Sequence, residues 1–180
     1  MTNTPILIVP GFHGSGPLHW QSLWQASEPA FQRTSQRDWD NPDLAEWLES
    51  LHLHITKFKT PPALIAHSLG CSLVAHWVKR FGRGVKAALL VCPSDVDSPA
   101  HTPAEVRGFS PMPLVPFPFA SIVAASTDDP RVALQRAKFF AHSWGSRFVT
   151  VEAAGHMNES SGIGSWPQGL ELLSELLRVA

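Results

Sequence analysis

The sequence contains no tyrosine, which removes phenol-based acid–base chemistry and tyrosine phosphorylation from the possible functions. Cysteine is almost as scarce, at two in 180 residues. Cys71 falls in an apolar, helix-like stretch and Cys92 at the end of an apolar run. Both read as small buried hydrophobes, and neither their number nor their placement suggests a disulfide framework or a metal pair. Cys71 also stands too far into its helix to present a nucleophile. Charge of one sign is missing too. With 14 basic and 15 acidic residues the formal net charge is −1, so no field exists to hold nucleic acid or anionic lipid. Long hydrophobic runs are absent. Ile6 to Val9 is far too short for a signal core or a membrane span, and Met1 to Pro5 lacks a basic leader region. A cytoplasmic protein without a membrane partner is the expectation. A glycine-rich stretch, Pro10 to Gly16, lacks G-K-[ST], and its spacing fails G-x-G-x-x-G, so a nucleotide-binding reading is not supported.

What remains is an ordinary globular composition, 44% hydrophobic and 16% charged, with seven tryptophans for core or pocket. The length suits a single domain, residues 1–180, able to bury a core without disulfides or metal. Apolar runs alternate with helix-periodic segments. Strands are expected at Ile6 to Val9, around Leu64 and Ile65, at Ala87 to Val91, Ser121 to Ala125 and Arg147 to Val151, with Phe31 to Gln36 as a half-buried edge strand. Helices are expected at His19 to Ala26, Asp43 to Ile55 with Asn41 or Pro42 as start signal, Ser68 to Phe81, Val132 to Trp144 and Gln168 to Val179. This alternation implies an α/β fold, a mostly parallel sheet with helices on both faces. Residues 93–118 form a long connection rich in proline and serine. Such a length is usually functional, here a small cover over a site.

The segment Ala66-His67-Ser68-Leu69-Gly70 lies between the apolar run Ala63 to Ile65 and the apolar helix that follows. Strand, tight turn on serine, then buried helix is the context that exposes a hydroxyl as nucleophile. Gly70 supplies the small neighbour the turn needs, and Ala66 stands where the common G-x-S-x-G pattern has its first glycine. The plain alternative is that Ser68 only caps the helix after it. Two later features favour the nucleophile. Asp128-Asp129-Pro130 and Gly155-His156 each follow an expected strand, where loops of an open α/β sheet gather a site.

A serine hydroxyl needs a base, and histidine suits that task near neutral pH. His67 adjoins the serine but should point to the opposite side. His76 and His142 lie in helices. His52 and His54, with Glu49 one turn earlier, have H-x-H spacing that sends their rings to different helix faces, so they read as solvated surface residues. His156 alone combines a preceding glycine, a loop position and the chain order Ser…Asp…His. Of the two acids Asp129 is favoured, since Pro130 holds it in a loop. Asp128 remains the alternative, either as the acid or as a helix cap. Asp95 and Asp97 form a fallback site. Oxyanion donors are expected from the backbone N–H groups of Leu69 and of Phe12, in the loop after the first strand.

The segments Val9-Pro10-Gly11, His19-Trp20-Gln21-Ser22-Leu23-Trp24, Asp38-Trp39-Asp40-Asn41-Pro42, Ala66 to Cys71, Ser126-Thr127-Asp128-Asp129-Pro130, Trp144-Gly145 and Ala154-Gly155-His156-Met157-Asn158 carry a resemblance. The chain resembles the α/β-hydrolase superfamily, and more narrowly the small YdeN-type serine hydrolases related to the vertebrate retinoblastoma-binding hydrolase. The resemblance implies Ser68 as nucleophile, Asp129 as acid and His156 as base. It also implies a fold without a large cap domain and an open site for small or extended acyl groups, edged by His19, Trp20 and Trp39, although core positions serve those tryptophans equally well. Two departures stand out. Ala66 replaces a glycine, which a small side chain permits. The L-x-C-x-E segment of the vertebrate relative is represented by Leu90-Val91-Cys92-Pro93-Ser94, on an expected buried strand and without the glutamate, so a retinoblastoma-type partner does not carry over. The expected activity is a serine hydrolase, carboxylesterase-like, cleaving a small ester, thioester or amide, with a small-molecule acyl substrate as partner and no cofactor or metal. An acyltransferase using the same residues, or a hydrolase-fold binding module with little turnover, are the alternatives.

Overall fold

Each expected buried strand alternates its side chains between two apolar layers, and that alternation builds the molecule. In the computed structural model, which describes residues 4–180, six strands form one all-parallel sheet in the order β2-β1-β3-β4-β5-β6. They are β1 (Ile6–Val9), β2 (Gln32–Arg33), β3 (Ala63–His67), β4 (Ala87–Val91), β5 (Ala120–Ser126) and β6 (Arg147–Val151). The helices are α1 (Trp20–Ser27), α2 (Leu44–Thr56), α3 (Leu69–Arg80), α4 (Leu134–Trp144) and α5 (Pro167–Val179). Leu7, Val9, Leu64, Ala66, Leu90, Val123 and Ala125 face one layer, packed against Trp47, Leu51, Trp77, Phe140 and Trp144 of α2, α3 and α4. Ile6, Ile65, Leu89, Val91 and Ala124 face the other, against Trp20 and Trp24 of α1 and Leu173 and Leu176 of α5. Burial on both faces is why β1, β3 and β4 read as continuous apolar runs rather than alternating ones.

Several boundaries differ from the sequence expectation, each for a local reason. The edge strand expected at Phe31 to Gln36 is reduced to Gln32–Arg33, paired with Leu7 and Ile8. Beyond it the Asp38 carboxylate gathers the N–H groups of Asp40 and Asn41 into a turn. Helix α2 starts neither from Asn41 nor from Pro42 but from Asp43, whose side chain accepts from the Glu46 N–H. Helix α4 begins at Leu134 rather than Val132. The Arg131 N–H is held by Asp129 and the Arg131 carbonyl by the Asp95 N–H, so this stretch serves the strand ends before the helix starts.

The 93–118 connection is more than a cover. It contains a short 3₁₀ helix, Ala104–Phe109, and buries Val106, Phe109, Met112 and Phe117 in the first apolar layer. The Trp144 indole N–H donates to the Pro113 carbonyl, tying the connection to α4. Among the described residues no helix is long and apolar enough to cross a membrane. Met1 to Asn3, part of the stretch read for a leader, lie outside the described residues.

The chain runs from β1 outward to β2, then returns to β3 on the other side of β1. At such a reversal the loops after the two strands diverge and leave a crevice at their carboxyl ends. The glycine-rich loop after β1 and the Ser68 turn after β3 meet there.

Candidate active site

Ser68 sits between β3 and α3 with φ 56° and ψ −124°. A left-handed φ is costly for a residue with a Cβ, and such strain concentrates where a side chain must be aimed. The Ser68 side chain makes no cap bond to α3. The capping alternative is therefore excluded by geometry, although the residue stands at the cap position. Close packing fixes the turn. A Cβ on Gly70 would fall against the backbone oxygens of Val9 and Pro10, and one on Gly11 would lie 2.8 Å from the His67 carbonyl oxygen and 2.9 Å from Ser68 Cβ. Both glycines are required by backbone-to-backbone approach.

His156 Nε2 lies 2.8 Å from Ser68 Oγ. On the other side of the ring, Nδ1 lies 2.9 and 3.0 Å from the two carboxylate oxygens of Asp129. The Asp129 side chain is fully shielded from solvent and that of His156 is 10% exposed. An ionised carboxylate only accepts, so His156 Nδ1 carries the proton and Nε2 is left as the acceptor facing Ser68. Ser68, His156 and Asp129 are thus joined in one hydrogen-bonded series.

The loop that presents His156 is braced by five side chains. Ala153, Gly155 and Met157 all have left-handed φ, so the backbone winds tightly around the histidine. Asp128 accepts from the Gly155 N–H at 2.7 Å and from Ser126 Oγ at 2.7 Å. Ser126 Oγ accepts from the Ala154 N–H, and Thr127 Oγ1 from the Ala153 N–H. From beneath, the Trp20 indole N–H donates to the Met157 carbonyl and His67 Nε2 to the His156 carbonyl, at 2.9 and 2.8 Å. Asp128 therefore does not cap α4, whose cap residue is Ala133. The hydrogen bonds from Ser126 and Gly155 hold its carboxyl below the usual range.

Phe12, Leu69, His19, Ser68, Ser94 and His156 are among the residues around a cleft of about 430 Å³ at the carboxyl ends of the strands. Neither the Phe12 N–H nor the Leu69 N–H donates to a protein acceptor among the described residues, which leaves both free for a ligand oxygen. His19 lines the cleft as expected. Trp20 and Trp39 do not, a correction to the expected pocket. Trp20 is packed against Trp24 and Trp166 under the sheet. Trp39 leans on Gly14 and Trp47, supporting the loop from behind. From the 93–118 connection only Ser94, Thr102, Pro103 and Val106 reach the cleft.

The competing residues are accounted for elsewhere. Asp95 and Asp97, the fallback acids, face Arg136, with Asp95 gripped by two guanidinium hydrogen bonds. His76 binds the Phe109 carbonyl and His142 is exposed. His52 is not a solvated surface residue, since its ring stacks on Phe81 at 3.9 Å, while His54 bonds the Ser50 carbonyl one turn back. The two rings do not converge. Cys71 and Cys92 are free and buried, and burial pushes both thiols up. Cys92 stands near Asp129 and His156 in a group with the ligand types of a metal site. A protonated thiol beside a carboxylate already paired with His156 is poorly suited to hold a cation.

Sequence reasoning missed two members of this site. His67 was expected to point away, yet it lies against His19 and His156, with ring centroids 4.7 and 4.9 Å distant. Burial, with the His156 and His19 charges, lowers its pKa well below the ordinary histidine value. Ser94 figured in the sequence only as the residue standing in place of a glutamate, although its Oγ lies 2.9 Å from Ser68 Oγ. Its position just past β4 was the one available signal.

This fold and constellation define an α/β hydrolase. The chain belongs to the serine hydrolase family, whose pattern it matches over residues 6–175. A crystal structure described as that of a YdeN-like hydrolase from Pectobacterium atrosepticum is 31% identical, with a TM-score of 0.88 over 98% of this chain and 91% of that one. The ydeN gene product of B. subtilis is 21% identical, with a TM-score of 0.76 over 98% of this chain and 100% of that one. Est1E from Butyrivibrio proteoclasticus, at 14% identity, shares the fold with a TM-score of 0.70 over 97% of this chain and 89% of that one. No curated protein sequence matches.

Proposed function

We propose that this protein is a carboxylesterase-like hydrolase that cleaves a small ester, thioester or amide through an acyl-enzyme intermediate on Ser68. The carrying observation is the unbroken series from Ser68 Oγ through His156 to Asp129, at 2.8 and 2.9 Å. His156 Nε2 takes the hydroxyl proton as Ser68 Oγ attacks the acyl carbon. The carbonyl oxygen becomes an oxyanion held by the Phe12 and Leu69 N–H groups. Asp129 keeps the imidazole in the productive tautomer and stabilises its positive charge. The leaving group departs with the proton from His156. Water then enters, gives a proton to His156 and attacks the acyl carbon, and Ser68 regains its proton as the acid is released. The open cleft and the absence of a large cap among the described residues support a small or extended acyl group.

Covalent labelling tests this reading. A fluorophosphonate probe should modify Ser68 of the parent protein, which should also turn over p-nitrophenyl esters. Ser68→Ala should do neither, beyond weak residual catalysis, while its unfolding midpoint stays close to the parent's. A folded parent that takes no label would instead favour a binding module that keeps the fold without turnover.

A further inference from the structure

We propose that Ser94 is a further catalytic residue, a second hydrogen-bond donor on the nucleophile's oxygen. The inference rests on Ser68 being the nucleophile. A serine oxygen carries one proton and two lone pairs. Because Asp129 only accepts, the proton of neutral His156 lies on Nδ1, and Nε2 must accept from Ser68 at 2.8 Å. The Ser68 proton is thus committed to His156. The 2.9 Å contact between the two serine oxygens is then filled by the Ser94 proton.

Nothing else competes for that proton, since Ser94 Oγ has no other partner among the described residues. The side chain is buried at 5% exposure and is held just past β4, where the Val96 N–H bonds the Ser94 carbonyl. It borders the same cleft as His156. Ser68 Oγ is therefore gripped from two sides, which selects the rotamer that faces the base.

The arrangement survives the reaction. When Ser68 attacks, its proton passes to His156 Nε2 and an Oγ lone pair forms the bond to the acyl carbon. The carbonyl π electrons move to the oxyanion. Ser68 Oγ then has two covalent bonds and two lone pairs, one facing the imidazolium and one facing the Ser94 hydroxyl. Ser94 keeps its own proton throughout. Proton transfer to His156 gives Ser68 Oγ alkoxide character before its bond to the acyl carbon is complete, and a donor aimed at that oxygen stabilises this stage more than the resting hydroxyl.

The test compares Ser94→Ala with the parent in fluorophosphonate labelling and in turnover of an activated ester. Mass spectrometry first establishes that the parent is labelled on Ser68. A parent labelled elsewhere or not at all defeats the nucleophile assignment, and with it this inference. With Ser68 labelled, Ser94→Ala should slow the second-order labelling rate about 10- to 100-fold and lower kcat by a similar factor. KM should stay within about twofold, because the lost hydrogen bond is to the nucleophile and not to the substrate. Labelling and kcat at parental levels would overturn the role of Ser94 while leaving the hydrolase reading intact.

Discussion

Asp128 accepts the Gly155 N–H at 2.7 Å, while the adjacent Asp129 meets the ring of His156 at 2.9 Å. Two neighbouring carboxylates thus serve one histidine in different ways, the first through the backbone of the preceding Gly155 and the second through the imidazole. Asp128 is solvent-exposed, whereas the Asp129 side chain is enclosed.

Asparagine substitutions should separate these roles. Asp129→Asn places an amide donor beside Nδ1, drives the proton to Nε2 and deprives Ser68 of its acceptor. A fall in kcat of roughly 10⁴-fold is expected. Asp128→Asn retains an oxygen able to accept from Gly155 and Ser126, so activity should fall far less. Steady-state kinetics of both variants decides the matter, and reversed effects would exchange the two assignments.

Gly70→Ala should be among the most damaging single-methyl changes in the chain. The added Cβ would meet backbone oxygens of Val9 and Pro10, and backbone cannot swing aside as a flexible side chain can. A loss near the upper end of the roughly 1–3 kcal/mol seen for overpacking is expected. Ala66→Gly, in the buried strand β3 four residues earlier, should cost only about 0.5–1 kcal/mol. Urea unfolding of the two variants would show the ordering, and equal losses would contradict it.

Stability should fall as the solution is acidified from about pH 6.5 towards pH 4. Burial, followed by the Arg33 and His156 charges, pushes the His19 pKa down to about 4, and His67 is depressed in the same direction. In that window the unfolded chain binds protons that the folded chain refuses, so unfolding becomes easier at lower pH. The His19 contribution alone is at most about 3.5 kcal/mol, from about 1.4 kcal/mol per pKa unit. His19 also caps α1 through Nδ1, which accepts from the Gln21 N–H. His19→Asn keeps a capping acceptor while removing the titration. Thermal melts across this range should therefore show a shallower pH slope for His19→Asn, and an unchanged slope would place the acid sensitivity elsewhere.

The sequence by itself determined the layered α/β plan, because the runs at Ile6, Leu64 and Ala87 are apolar on both faces and separated by helix-length segments. It also pointed to Ser68, His156 and the acid pair Asp128-Asp129 as the candidate site. Each lies just past a strand end, and the order and spacing of motifs do not depend on distant contacts. Tertiary structure alone decided which carboxylate faces the imidazole and which braces its loop. The reason is where the folded loop sets the ring and the Gly155 N–H, the ring against Asp129 and the N–H against Asp128. It decided that Trp20 and Trp39 support the site from behind, since a tryptophan in a sequence carries no sign of which layer it will enter. Ser94 and His67 joined the site for the same reason. Their partners lie 26 and 89 residues away, and only the parallel register of β3 with β4 and the descent of the His156 loop bring them within hydrogen-bonding distance.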